Sequence, residues 1–392
     1  MNSFINLDAF YHSRGKTASR NRRQLLQQIQ RQGSDAKSKR RILNNAAPNI
    51  RTRPTSVPKQ PQPITFPIDL VYTWVDGSDE SWQASFYGTL QRQQEQQQQN
   101  STLVDSILPC RWRNLNELQH AVASARAFAP WIRNIFIVTA NQTPPWMTSP
   151  TYNASQNIHI ISHQTLFAEY ATDHLPTFNS HAIEAHLHRI PQLAEHFIYA
   201  NDDTFFGAPC TPHDFFTPEG QFKVFLSPVS LPKTNPSKMP GINAYVMAQY
   251  NTYTLLRQTY GASYIKDLKR PLHQMKPLRR SVYEYCWNHE QLMLYLFNTS
   301  SHPFRDISDI DPVNLVSQVG LLHKSAVVGT ITSKYYPVTD DRPVEPIFRH
   351  LREFKPTPKI YCINDDMKNP TPDKVAKLQA GLERWLPHQL FI

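Results

Sequence analysis

Paired carboxylates at the end of an apolar run are the sharpest chemical signal in this sequence. Asn201-Asp202-Asp203 directly follows Phe197-Ile198-Tyr199-Ala200. Adjacent carboxylates at a strand end can hold a divalent cation, and such a cation can clamp a diphosphate. Tyr361-Cys362-Ile363-Asn364-Asp365-Asp366 repeats the pattern. A third acidic strand is Ile68-Asp69-Leu70-Val71-Tyr72-Thr73-Trp74-Val75, which runs into the turn Asp76-Gly77-Ser78-Asp79. A bare Asp-Asp pair is also common in turns. The strand before it and the repeat further on favour a site.

Three other clusters carry polar chemistry. His174-Leu175-Pro176-Thr177-Phe178-Asn179-Ser180, followed by Ile183-Glu184, is dense in hydrogen-bonding side chains. Asn179 or Ser180 is a natural helix N-cap there. His273 to Arg280 mixes a histidine with Lys276, Arg279 and Arg280, and Arg305-Asp306 lies further on. Cations beside a histidine suit phosphate binding and proton transfer. Taken singly, the His273 and Arg305 clusters are more often solvated surface, and the His174 to Ser180 stretch reads as a loop with a helix cap. There is no P-loop, no G-x-G-x-x-G fingerprint and no G-x-S-x-G elbow. With 11 glycines against 32 prolines, phosphate handling falls to side chains and a metal rather than to backbone cradles.

The elements that must position these groups alternate in type. Strands are expected at 68–75, 134–139, 158–161, 197–200 and 223–226. Helices are expected at 82–90, 116–128, 182–188, 243–260, 281–297 and 372–385. This alternation indicates an α/β fold with a mixed, largely parallel sheet flanked by helices. Gln91 to Asn100 extends the first helix or forms an exposed loop. Residues 1–63 read as a basic, Gln- and Pro-rich arm and linker, disordered or helical, with a short helix at Gln24 to Arg31. Compact structure is expected from about Ile64, giving one domain over 64–392.

The 392 residues suffice for one large domain, and 40% of them are hydrophobic. The formal net charge is +10, with much of the excess in the first 60 residues. Such an arm suits an anionic membrane surface or polymer as well as plain solvation. Four widely spaced cysteines with no C-x-x-C pair argue against a zinc knuckle and for reduced thiols in the cytoplasm. No apolar run is long enough to span a bilayer, and the N-terminus has no signal-peptide core.

These motifs together resemble those of the Stealth family, which includes bacterial capsular polysaccharide polymerases and the animal GlcNAc-1-phosphotransferase. The first signature is Ile68 to Gly77. The second runs from Arg111 through Asn114, Glu117-Leu118 and Ala129 to Thr139, then through His174 to Phe178 and Ile183-Glu184 to Asp203. The third runs from His273 to about Arg305, where Lys276-Pro277-Leu278-Arg279 fits only in part. The fourth is Cys362 to Asp366. The resemblance implies transfer of a hexose- or N-acetylhexosamine-1-phosphate from a UDP-sugar to a hydroxyl of a growing polysaccharide, with release of UMP. It also implies Mg²⁺ (or Mn²⁺) on Asp202, Asp203 and Asp365. Asp69, Asp76, Arg111, Asn114, Glu117, Asn179 and Glu184 would contact substrate. Arg279 and Arg305 would neutralise phosphate oxygens. His273 would be the general base, with His174 the second choice. The alternative is a metal-dependent glycosyltransferase using the same Asp-Asp pair. The expected place is the cytoplasm, with the basic arm touching the inner membrane face or the capsule machinery, and no nucleic acid.

Overall fold

Strand β1 (Ile68–Thr73) is apolar on both faces, and Leu70, Val71 and Tyr72 are fully buried. A strand covered on both sides belongs in the interior of a parallel sheet, and β1 occupies that place. The structure is a computed structural model that describes residues 62–96, 107–149, 157–168, 171–231, 234–238, 242–261, 269–353 and 356–385. Contacts divide the chain into Met1–Gln60 and Pro61–Ile392. The expected basic arm and its short helix lie outside the described residues.

Strand β2 (Ile135–Thr139) pairs with β1 in parallel, and β3 (Ile158–Ser162) pairs with β2. Strand β4 (His196–Asn201) pairs with the opposite edge of β1, with Thr73 in register with Asn201. After β5 (Thr204–Phe206), β6 (Phe222–Ser230) and β7 (Lys269–Pro271) comes β8 (Lys276–Arg279), which runs antiparallel along β4. The main sheet therefore has the order β3-β2-β1-β4-β8. Strand β9 (Ala326–Gly329) joins β6 and β7 in a three-stranded sheet; β10 (Ser333–Val338) and β11 (Ile360–Asp365) join β5 in another. This is the mixed, largely parallel α/β architecture read from the sequence.

The expected helices form, two of them with different bounds, and Pro312–Leu322 and Glu345–Glu353 are helices that the sequence reading did not include. The helix expected over 281–297 is two, Arg280–Asn288 and Glu290–Ser300. His289 breaks it in an extended conformation and accepts a hydrogen bond on Nδ1 from the Leu292 N–H. The segment around 182–188 begins earlier, as Ser180–Glu184, with Asn179 as N-cap accepting from the His181 N–H at 3.0 Å. The first helix, Glu80–Gln96, extends into the glutamine tract.

Candidate active site

In an open parallel sheet, ligands bind beyond the carboxyl ends of the strands where the strand order reverses. Here the chain winds outward from β1 through β2 to β3 and then returns to place β4 on the other side of β1. The reversal lies between the ends of β1 and β4. A cavity of about 230 Å³ opens there. Thr73, Trp74 and Val75 line it from β1, and Asn201, Asp202 and Asp203 from β4.

Two further elements complete its polar side. Strand β5 continues from Asp203 and pairs antiparallel with β11, placing Cys362 opposite Thr204. The Ile363 N–H donates to the Asp203 carbonyl at 3.0 Å. That pairing brings Asn364 and Asp365 into the cavity wall. Strand β8 runs backwards along β4, with Lys276 opposite Tyr199. The residues just before Lys276 must therefore project past the carboxyl end of β4, and His273 does so. Its Nε2 lies 3.8 Å from an Asp203 carboxylate oxygen.

The acidic side is electrostatically strained. Burial and the neighbouring Asp203 charge push the Asp202 carboxyl up to about 7. Glu117, at the start of the Glu117–Phe128 helix, lines the same cavity and is raised well above the usual range by burial, with Asp202 adding to the shift. Burial also works against the Asp203 anion, but the hydrogen-bonding and charge of His273 outweigh it, and its carboxyl falls below the usual range. Asp203 Oδ2, His273 Nε2 and the Cys362 thiol converge, with ligand atoms all within 4.8 Å of one another. The thiol lies 3.4 Å from Asp203 Oδ2. A divalent cation held by Asp202 and Asp203 would relieve the crowding of these two carboxylates.

Cations and aromatics form the other walls. Arg111, Arg113 and Arg305 line the cavity. Arg113 pairs with Asp365 and also donates to the Met367 carbonyl at 3.2 Å. The second Asp365 oxygen accepts from the Met367 N–H at 2.9 Å. Asp365 is thus a charge partner of Arg113, with both oxygens engaged. Trp82, Phe86, Trp112 and Phe178 build an aromatic wall. Gly77 supports it: its N–H donates to the Trp112 carbonyl at 3.0 Å, and a Cβ there would run into the Trp112 ring.

The sequence-read residues divide accordingly. Asp202, Asp203, Asp365, Glu117, Arg111, Arg305 and His273 come together in one cavity. Several others do not line it. Asp69 is fully buried, four residues before the end of β1, or roughly 13 Å along a strand. It receives two bonds from the Arg133 guanidinium (2.6 and 2.9 Å) and one each from the Asn134 and Ala194 N–H groups. Arg279 pairs with His196 at the start of β4 and bonds Glu195 at 2.9 Å, so it faces the wrong end of the sheet for phosphate. His174 hydrogen-bonds Ser300 at 2.9 Å and packs edge-on to Phe297. Asn179 is a buried cap, and Glu184 accepts from the Tyr199 hydroxyl at 2.9 Å. Asn114 accepts from the Asn116 N–H. Asp76 folds back onto Ser78, accepting from its N–H at 2.9 Å and its hydroxyl at 2.6 Å.

Sequence reasoning passed over Arg113, Cys362 and the aromatic wall. Cys362 opens the fourth signature, and Arg113 stands two residues after Arg111, so both carried a signal. Phe178 closes the His174 to Phe178 stretch of the second signature, whereas Trp112 carried no signal, because aromatic residues in a sequence read as core.

The profile of Stealth protein CR2, conserved region 2, matches residues 111–224, and that of Stealth protein CR1, conserved region 1, matches 66–85. The capsular polysaccharide phosphotransferase fcs1 of Haemophilus influenzae is 34% identical over 76% of this chain and 78% of its own length. The chain belongs to the Stealth family. An exopolysaccharide phosphotransferase of Streptomyces coelicolor, SCO2592, is 36% identical over 88% of this Stealth chain. The chain spans 36% of that relative's length and about half of two others from the same organism, 51% and 52%. Among solved structures, the galactosyltransferase LgtC with donor and acceptor sugar analogues aligns at a TM-score of 0.39 and 12% identity, covering 81% of this chain and 95% of that one.

Proposed function

We propose that this Stealth protein transfers a sugar-1-phosphate from a UDP-sugar to a hydroxyl of a growing capsular or exopolysaccharide, forming a phosphodiester and releasing UMP. The observation that carries this reading is the His273–Asp203 pair at 3.8 Å, in a cavity that Asp202, Arg111 and Arg305 also line. The acceptor oxygen attacks the β-phosphorus, and its proton passes to His273. The bond from that phosphorus to the α-phosphate oxygen breaks, and UMP departs. Asp203 orients the imidazole and stabilises its protonated form. Arg111 and Arg305 face charge that spreads over the phosphoryl oxygens during transfer. The aromatic wall receives the uncharged part of the substrate.

Asp202 and Asp203 would hold Mg²⁺ or Mn²⁺, which would neutralise the diphosphate when bound. The proposed setting is the cytoplasm. Among the described residues, no helix is long and apolar enough to cross a membrane. A contact of the basic arm with an anionic membrane face rests on the charge of the first 60 residues alone; release by high salt tests it.

The deciding experiment incubates purified protein with UDP-sugars and an oligosaccharide acceptor, with and without EDTA. UMP release together with a phosphodiester resonance in ³¹P NMR of the product is expected. UDP release with no phosphorus in the product would instead make the protein a glycosyltransferase. Full activity in EDTA would remove the cation from the scheme.

A further inference from the structure

Arg305 reaches the cavity from a segment with no helix or strand of its own, between the Glu290–Ser300 and Pro312–Leu322 helices. Its guanidinium donates to the Ser180 hydroxyl at 2.8 Å. An irregular segment holds a side chain to sub-ångström tolerance only if something buried fixes its backbone. One carboxylate does so here. Asp309 is fully buried. Its Oδ1 lies 2.7 Å from His302 Nδ1, before Arg305 in the chain. Its Oδ2 accepts from the Asp306 N–H at 2.9 Å, directly after Arg305. The same oxygen accepts from the Asn179 amide at 2.9 Å, and Asn179 is the residue before Ser180.

Asp309 thus ties down the chain on both sides of Arg305 and, through Asn179, the neighbour of the hydroxyl that Arg305 bonds. The rest of the segment agrees. The Phe178 N–H donates to the Pro303 carbonyl at 2.7 Å, and the Phe304 ring stacks on Phe178 with centroids 5.4 Å apart. Asn251 closes the back, donating to the Ile307 and Asp309 carbonyls at 2.8 Å each. The hydrogen bonds from His181 and His302 outweigh the burial that would raise the Asp309 carboxyl, and it lies below the usual range. A buried anion at this place costs desolvation and is held only by such a full set of donors.

We propose that Asp309 is a positioning residue for phosphoryl transfer: it acts through His302, the Asp306 N–H and Asn179 to aim Arg305 at the transferred phosphate. This rests on the sugar-phosphate transfer reading and on the role of Arg305 within it. The consequence is coupling. If Asp309 works through Arg305, its loss costs nothing more once Arg305 has gone.

The test is a double-mutant cycle on the full chain, read as kcat/KM for UMP release from a UDP-sugar that the wild type turns over. Arg305→Ala should lower kcat/KM by about 10²-fold or more. Asp309→Asn should lower it by roughly 10- to 10²-fold, mostly in kcat. The double variant should match Arg305→Ala alone. His302→Ala should resemble Asp309→Asn. His302→Asn, which keeps a donor near Nδ1, should recover most of the loss, and this pair carries the test if Asp309→Asn does not fold. A loss in Arg305→Ala with fully additive Asp309→Asn would overturn the positioning role alone. A silent Arg305→Ala would overturn both that role and the place given to Arg305.

Discussion

His273 Nε2 and the Cys362 thiol approach the same oxygen of Asp203, at 3.8 and 3.4 Å. The three come from a strand end, a loop and a second sheet, so their meeting is a property of the fold rather than of any local motif. Asp203 is the hinge of the arrangement. It follows β4, continues into β5, and through β5 recruits the only strand that carries Cys362 and Asp365.

His273→Ala should lower kcat by about 10²- to 10⁴-fold, the usual range for a positioned general base. KM for the donor should change little, because the imidazole acts on the acceptor proton. Steady-state UMP release checks this. Near-wild-type turnover would remove His273 from the reaction.

The two arginines first read together should separate. Arg305→Ala should fall in kcat/KM as above. Arg279→Ala should keep turnover within a few-fold of wild type. Its bond to Glu195 is partly exposed, so its stability cost should be roughly 1 kcal/mol or less. Parallel kinetics and urea unfolding of both variants provide the comparison. A large kinetic loss in Arg279→Ala would restore it to the site.

Asp69→Ala should damage the fold and spare the chemistry of what remains folded. It strands Arg133 and two backbone N–H groups beside a fully buried position. Arg133 is itself 43% exposed, so the loss comes mainly from the two N–H groups left without an acceptor, roughly 1–3 kcal/mol each. Chemical unfolding should show that loss. Donor KM measured on the soluble folded fraction should stay unchanged.

Stability should fall as the solution turns acidic below neutrality. Burial lowers His163 to about 4 from its ordinary 6.5, and burial also lowers His186 and His188. Between those values the unfolded chain binds more protons than the folded one, so stability drops as pH falls. The contribution is complete above pH 6.5 and is lost progressively toward pH 4. His163 should cost roughly 2 kcal/mol between pH 6.5 and 5, and His186 and His188 act in the same direction. Urea midpoints across this window check the slope, and His163→Gln should flatten it by up to one proton.

Much of the scaffold was legible because its strands announce themselves. Ile135-Phe136-Ile137-Val138 and Phe197-Ile198-Tyr199-Ala200 are apolar runs that fit a sheet covered on both faces. The short strands β5 and β7–β10 were not read, since three to six residues with Pro271, Pro277 or Pro337 among them show no clear period. The Pro312–Leu322 helix was missed although Asp311 caps it and Pro312 occupies its first turn. Within the site, Asp202, Asp203 and His273 were legible from residue type. Asp69 and Arg279 lie away from the cavity, and a strand's sequence does not tell which of its ends faces it. Only the register of β1 with β4, and of β8 against β4, decides that.

The β5–β11 seam also sets a timetable. The Asp203–Cys362 contact spans 159 residues of chain. A nascent polypeptide can form β1, β2, β3 and β4 early, yet its pocket lacks a wall until β11 has left the ribosome. Contacts so distant in sequence close late in folding. Half-made protein therefore carries Asp202 and Asp203 without Cys362, Asn364 and Asp365, and its cavity is unfinished.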